Sequence, residues 1–296
     1  MVINRLRMPS DGDIIVPNYS TIILGTTSVN VQNPDEVAPS LKELELLYME
    51  GLKVIPDLRR IRPIRSYAGP RPLIGSGVGR EISRTFTIID HEEKDSITGL
   101  ISIVGGKLTT YRLMAEKLSN LVAEKLGLSK TCKTHKYPLP GYYDKLDVDK
   151  LAKKANIFKG LVIRAVQRWG SLARDFILNA NKCICLCEGV TDKEIMYSIS
   201  KLKARTIGDV LRRTRASMGP CQGQNCMYKI AGILYDYSSG YEKYFLSDIK
   251  SHLRKRWSNI QPLIHGGLAD QEMLTLAIYN MLGNFDMVVQ NEENRK

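Results

Sequence analysis

The chain has 296 residues, 43% apolar and 25% charged, a balance that excludes wholesale disorder and collagen-like repeats and gives length for about two domains of roughly 100–200 residues. A formal net charge of +12 raises nucleic acid as a partner, but the 43 Lys and Arg are scattered among 31 acids, with no arginine-rich arm or aromatic-interleaved basic stripe, so that class is set aside. No apolar run approaches the roughly 20 residues of a spanning helix, and MVINRLRMPSDGD lacks the pattern of a signal peptide, so the expected location is cytoplasmic or at most peripheral to a membrane.

In chain order, DIIVPN, STIILGTTSV, RPIRSYAG and RTFTIID are short β-branched or aromatic runs bounded by turn residues, and they predict strands. VINRLRMP adds another. Between them SLKELELLYMEGLKVIPDL has helical periodicity, opened by a capping box of Ser40 and Glu43. An antiparallel sheet with a helix on one face is expected. TGLISIVGG then reads as a strand buried on both faces. After GGKLTT, an amphipathic helix follows with Leu113, Met114, Leu118, Leu121, Val122 and Leu126 on its apolar face and Gly127 as its stop. A strand, a Gly-Gly turn and a helix aim backbone amides at one point, a general means of holding a negative or electron-rich group. Lys107 at the helix head opposes the dipole, which suggests something negative opposite it. Helical segments including FKGLVIRAVQRWG, TDKEIMYSISKL, TIGDVLRRT, YEKYFLSDIKSHLRKRW and QEMLTLAIYNMLG complete the chain, the last two as a docking tail.

Five of the six cysteines fall between 183 and 226. Without a secretion signal, clustered cysteines point to metal or redox work rather than disulfides. Cys185-x-Cys187 and Cys221-x4-Cys226 make two pairs with 33 residues between them, suited to zinc or an iron–sulfur cluster. Structural zinc favours C-x2-C or wider knuckles in both halves. A C-x-C pair on one iron and CQGQNC on the other fits [2Fe–2S] better, with amides near Gly219 and Gly223 as donors. A zinc-stabilised interaction domain and inert buried thiols remain as alternatives. Cys183 could replace Cys185 in a C-x3-C pair but reads as a spare, and Cys132 as a bystander.

Other candidates are weaker on residues alone. Arg71 in SYAGPRPL and Arg84 in EISRTF flank a predicted hairpin connection and read as solvated loop arginines. GSGVGR at 75–80 half-matches a dinucleotide fingerprint, but Arg80 replaces the third glycine and no helix follows, so it is rejected. His91 reads as a turn or surface residue. LRRTR at 211–215 and LRKRW at 253–257 read as solvated helix faces, with docking of an acidic partner the lesser reading.

ILGTTS, RSYAGPRPL, ISRTFTIIDH and ISIVGGKLTTYRLMAEKL, in that order and spacing, resemble FAD-dependent glycerol-3-phosphate dehydrogenases. CLCEGVT, LRRTRASMGPCQGQNC and KRWSNIQPL are similar to the large subunit of that family's anaerobic form, which carries a helical [2Fe–2S] domain like bacterioferritin-associated ferredoxin. The resemblance implies an α+β fold. Its parts are an antiparallel β substrate domain (1–97), the last strand–helix of an FAD-binding fold (98–128), a connecting helical segment (129–180), a small all-α [2Fe–2S] domain (181–238) and a helical tail (239–296).

The same resemblance implies oxidation of sn-glycerol 3-phosphate to dihydroxyacetone phosphate, with hydride transfer to FAD and electron relay through the cluster. It places Arg71, Arg84 and Lys107 on the substrate, Arg71 and Lys107 among the catalytic residues, and Gly105, Gly106, Lys107, Leu108 and Thr109 against the flavin. Cys185, Cys187, Cys221 and Cys226 hold the cluster. No GxGxxG Rossmann half is present, so the chain is expected to be the C-terminal half of the large subunit. That missing half would come from a partner chain or segment, other dehydrogenase subunits would accept electrons, and membrane association would be peripheral. The strand at 98–104 would lack neighbours, leaving apolar surface exposed. A stand-alone iron–sulfur electron-transfer module, and a flavin dehydrogenase of another 2-hydroxy acid, are the alternatives.

Overall fold

The computed structural model describes residues 3–4, 14–35, 37–73, 85–138, 145–264 and 267–283. Among these residues, three small antiparallel sheets combine with helices that dominate the C-terminal half. The α+β class therefore holds at this level.

The first sheet is a meander of β1 (Ile3–Asn4), β2 (Ile14–Asn18) and β3 (Thr21–Gly25), with Ile15 opposite Leu24 and Val16 opposite Ile23. Among the described residues β1 pairs only with Ile14 and Ile15, and Pro17 meets no ladder partner on that side of β2. Helix α1 (Leu41–Val54) begins with the reciprocal Ser40–Glu43 capping box. It settles against Leu24 and the buried Leu58 at Gly51, where a Cβ would come within 2.9 Å of both leucines. A residue with a side chain there would force both leucine side chains to shift.

Three expectations for this region are corrected. RPIRSYAG forms no strand: Pro63 is its second residue and Pro70 follows it, and its Ser66 N–H goes to the carbonyl of Asn259 at 2.8 Å rather than into a ladder. The strand in TGLISIVGG, β5 (Ile101–Gly105), pairs among the described residues only with β4 (Phe86–Asp90), and it is half-buried instead of covered on both faces. Two separate sheets stand where one was expected. His91, expected at a turn or on the surface, is half-buried at the turn that follows β4. It opens the short α2 (His91–Asp95) and bridges Asp95 (2.5 Å) and Ser102 (2.8 Å) through its two ring nitrogens.

After β5, Gly105 and Gly106 take positive φ (86° and 80°). A 3-10 turn then leads into α3 (Tyr111–Lys125), and Gly127 at φ 66° stops it. Lys107 therefore precedes the 3-10 turn and is not at the head of α3. None of α3 is fully buried, and Leu100, Leu108, Tyr111 and Leu113 stand exposed, matching the expected uncovered apolar surface.

Helices α4 (Val148–Ala155), α5 (Lys159–Trp169) and α6 (Ala173–Leu178) share a small core around Val162, Ala165 and Ala173. The main core follows: α7 (Asp192–Ser200), α8 (Ile207–Thr214) and α9 (Met227–Tyr237) enclose Ile195, Ile207, Val210, Ile230 and Leu234. The segment is not all helix, because β6 (Cys183–Cys185) and β7 (Val190–Thr191) form a short hairpin that presents the first cysteines. Helices α10 (Phe245–Ile260) and α11 (Gly267–Gly283) dock there, placing Ile249, Leu253 and Leu276 in that same core.

Candidate metal centre

Two loops meet to form the site. Cys185 closes β6 and Cys187 lies in the turn to β7, while Cys221 lies in the loop after α8 and Cys226 caps α9. The thiols form two pairs. Sγ of Cys187 stands 3.6 Å from Sγ of Cys221, and the thiols of Cys185 and Cys226 face one another. The first pair is half-buried and the second is enclosed, each of its members 1% exposed.

The pairing runs across the two motifs and not within them. Residues i and i+2 of an extended segment lie roughly 6.6 Å apart, whereas two thiolates on one tetrahedral metal with bonds of about 2.3 Å sit roughly 3.8 Å apart. The 3.6 Å gap suits a shared metal atom. Among the described residues no three His, Cys, Asp or Glu converge on a single-ion position. Two pairs, each able to grip one iron, fit a two-iron cluster.

The surrounding backbone fits such a group. A Cβ on Gly219 would lie 2.2 Å from Cβ of Cys187, so only glycine permits the loops to meet. Gly223 holds φ 90° in the loop between Cys221 and Cys226. The Cys226 thiol and the backbone N–H groups of Ser217 and Glu188 donate to Cys185 and bring its thiol down to about 6. Cys226 is pushed up because its proton is engaged with Cys185. Burial raises the Cys187 thiol even though the Cys221 N–H points at it. Amides aimed at sulfur would stabilise the charge of a reduced cluster. Cys183 joins neither pair, its sulfur facing the carbonyls of Cys185 (3.6 Å) and Val190 (3.7 Å).

Charged side chains that the sequence left unassigned brace the turn. Arg168 on α5 donates to the carbonyls of Glu188 and Gly189, both at 3.2 Å, and pairs with Glu194 at 2.8 Å. Both side chains are nearly fully buried, and burial pushes the Glu194 carboxyl up. Arg164 donates to the carbonyl of Cys187 at 2.6 Å. Glu188 is wholly buried and faces Arg215, Nε to Oε2 3.7 Å. LRRTR is thus no simple solvated face: Arg212 and Arg213 pair with Asp209, but Arg215 turns inward. LRKRW is corrected likewise, because Leu253 is buried and Arg256 forms a shielded pair with Glu272 at 2.9 Å. The Thr191–Glu194 capping box was the one sequence signal for this network, since T-x-x-E opens α7.

The predicted substrate and flavin residues lie elsewhere. Lys107, Leu108 and Thr109 project from the turn after β5, with Leu108 89% exposed. The two glycines have structural reasons of their own: a Cβ on Gly105 would meet the Thr85 carbonyl, and one on Gly106 the sulfur of Met114, each at 2.4 Å. Arg71 is exposed on the stretch that continues from Ser66. Arg84 and GSGVGR lie outside the described residues.

These loops define an iron–sulfur-type centre, and residues 183–236 match the family profile of the BFD-like [2Fe–2S] binding domain. The chain as a whole is similar to the large, A-type polypeptide of anaerobic glycerol-3-phosphate dehydrogenase. It is 35% identical to that of Escherichia coli K12 over 95% of this chain and 53% of the relative. It is 34% identical to that of Haemophilus influenzae over 99% and 54%, and 36% identical to the A1 form of Haloferax volcanii over 96% and 49%. The chain thus spans about half the length of the curated relatives it matches. No solved structure matches it significantly.

Proposed function

We propose that this chain is the cluster-bearing and substrate-binding part of an FAD-dependent dehydrogenase that oxidises sn-glycerol 3-phosphate to dihydroxyacetone phosphate. The observation that carries the proposal is the crossed pairing of Cys185 with Cys226 and Cys187 with Cys221 inside the segment that matches a [2Fe–2S] domain. The similarity to the large polypeptides of the anaerobic dehydrogenases supports the substrate and FAD. In this reading β4, β5 and α3 are the last part of an FAD-binding fold, whose other strands come from a further segment or chain. The exposed Leu100, Leu108, Tyr111 and Leu113 support it as a surface awaiting cover.

Bound FAD would accept hydride, and the [2Fe–2S] cluster would carry electrons singly. Gly105–Thr109 would hold the flavin through backbone amides, and Cys185, Cys187, Cys221 and Cys226 would ligate the cluster, Cys183 staying free of it. Arg71, with Arg84, would take the substrate phosphate, because a planar guanidinium fork matches its oxygens two at a time. Lys107 would hold a positive charge at the edge between substrate and flavin, offsetting negative charge as it develops. Electrons would leave toward other subunits of the dehydrogenase at a membrane surface. Among the described residues no helix is long and apolar enough to cross a membrane.

The test is co-production with an FAD-binding segment of a relative. Glycerol 3-phosphate is expected to reduce the flavin and then the cluster, lactate to reduce neither, and Arg71→Ala to raise KM at least ten-fold. Equal reduction by lactate would discard the substrate assignment.

A further inference from the structure

Tyr19 occupies the tip of the β2–β3 hairpin with φ 57°, a left-handed conformation that favours glycine or asparagine in a two-residue hairpin turn. Two guanidinium groups lie over its ring, Arg164 at 4.6 Å and Arg215 at 5.2 Å from the ring centroid. Its hydroxyl donates to Gln167 at 2.5 Å, and Arg215 also reaches the side chain of the neighbouring Asn18. Arg215 itself holds φ 63° at the end of α8. Two side-chain-bearing residues thus accept strained backbone in order to meet, a sign that the contact over-determines the local structure.

Both arginines continue into the metal centre: Arg164 binds the carbonyl of Cys187, and Arg215 faces the buried Glu188. We propose that Tyr19 is a positioning residue, latching the β2–β3 hairpin to the Cys187 turn and keeping Arg164 and Arg215 against it. The inference rests on the reading of the cysteines as cluster ligands for its electrochemical part only. A ring with two guanidinium groups within about 6 Å of its centroid gains cation–π attraction from both. Neither oxygen of Glu188 has a hydrogen-bond partner, so Arg215 is its compensation. Loss of the ring frees Arg215 toward solvent and leaves an uncompensated carboxylate directly after Cys187. That negative charge disfavours an added electron nearby.

The whole chain, purified anaerobically, is compared as wild type, Tyr19→Ala and Tyr19→Phe by hydrogen exchange and cluster potentiometry. Tyr19→Ala is expected to speed exchange of the Leu186–Gly189 amides at least ten-fold and to lower the cluster midpoint potential. Tyr19→Phe, which keeps the ring, is expected to retain both wild-type values. Wild-type exchange at Leu186–Gly189 in the alanine variant overturns the latch, and an unchanged or raised potential overturns its effect on the cluster. Iron and sulfide content reports separately on the cluster reading, and the exchange comparison decides the latch whether or not a cluster is bound.

Discussion

Sγ of Cys187 lies 3.6 Å from Sγ of Cys221, although 34 positions separate them in the chain. That approach requires the β6–β7 turn and the loop before α9 to fold against one another, so it reports on both motifs together. Replacing either cysteine by alanine should abolish iron and acid-labile sulfide. Cys183→Ala should keep both, since its sulfur faces only backbone carbonyls. Retention of a full cluster in Cys187→Ala with its loss in Cys183→Ala would move the ligand assignment.

Gly219→Ala tests the closeness of the loops without touching a sulfur. Its new Cβ would stand 2.2 Å from that of Cys187, and neither is the far end of a flexible side chain. Overpacking of this kind costs roughly 1–3 kcal/mol, and the displaced turn should take up less iron. Gly69→Ala, with nothing within 4 Å of its Cβ, is the control and should assemble normally. Equal iron content in the two variants would contradict the geometry.

The Arg168–Glu194 pair should behave as a buried ion pair. Both side chains are at most 4% exposed, so Arg168→Met strands a carboxylate and should cost about 3–5 kcal/mol. The double variant Arg168→Met, Glu194→Leu removes both charges and should recover part of that loss. Urea denaturation of the two variants decides it: a double variant no more stable than the single one would show that the braces to Glu188 and Gly189 matter more than the pair.

His252 predicts a response to acid. Its Nε2 is buried without a hydrogen-bond partner. Burial, with Arg256, Arg65 and Lys255 nearby, pulls the imidazole down to about 4. An unfolded histidine titrates near 6.5, so between those values the unfolded chain binds the extra proton. Stability is then lost as pH falls from about 6.5 to about 4, by on the order of 3 kcal/mol, and is flat with respect to this group below that. In His252→Gln this part of the slope should vanish from urea midpoints measured across the window.

Much of the architecture was legible locally. The Ser40–Glu43 box, the apolar periodicity of α7 to α10 and the glycine stop of α3 depend on neighbours within a few residues, and sequence spacing carries that information. Long-range partners were not legible. RPIRSYAG has strand composition, but its Ser66 amide goes to Asn259. Arg215 and Arg256 sit in runs that any helix-face rule assigns to solvent, yet both meet carboxylates from other elements, Glu188 and Glu272. The two cysteine motifs were visible, whereas their crossed pairing needed the backbone geometry of a C-x-C segment. Tyr19 left only a faint trace: NYST places an aromatic where a tight turn ordinarily takes glycine, a local conflict of the sort found at functional contacts.

The most direct test of the account is metal and sulfide analysis of the whole chain purified without oxygen, taken with its optical spectrum. Two irons and two acid-labile sulfides per chain, with visible absorption bleached by dithionite, are the result predicted by paired thiols. One zinc per chain, colourless and without sulfide, would contradict it.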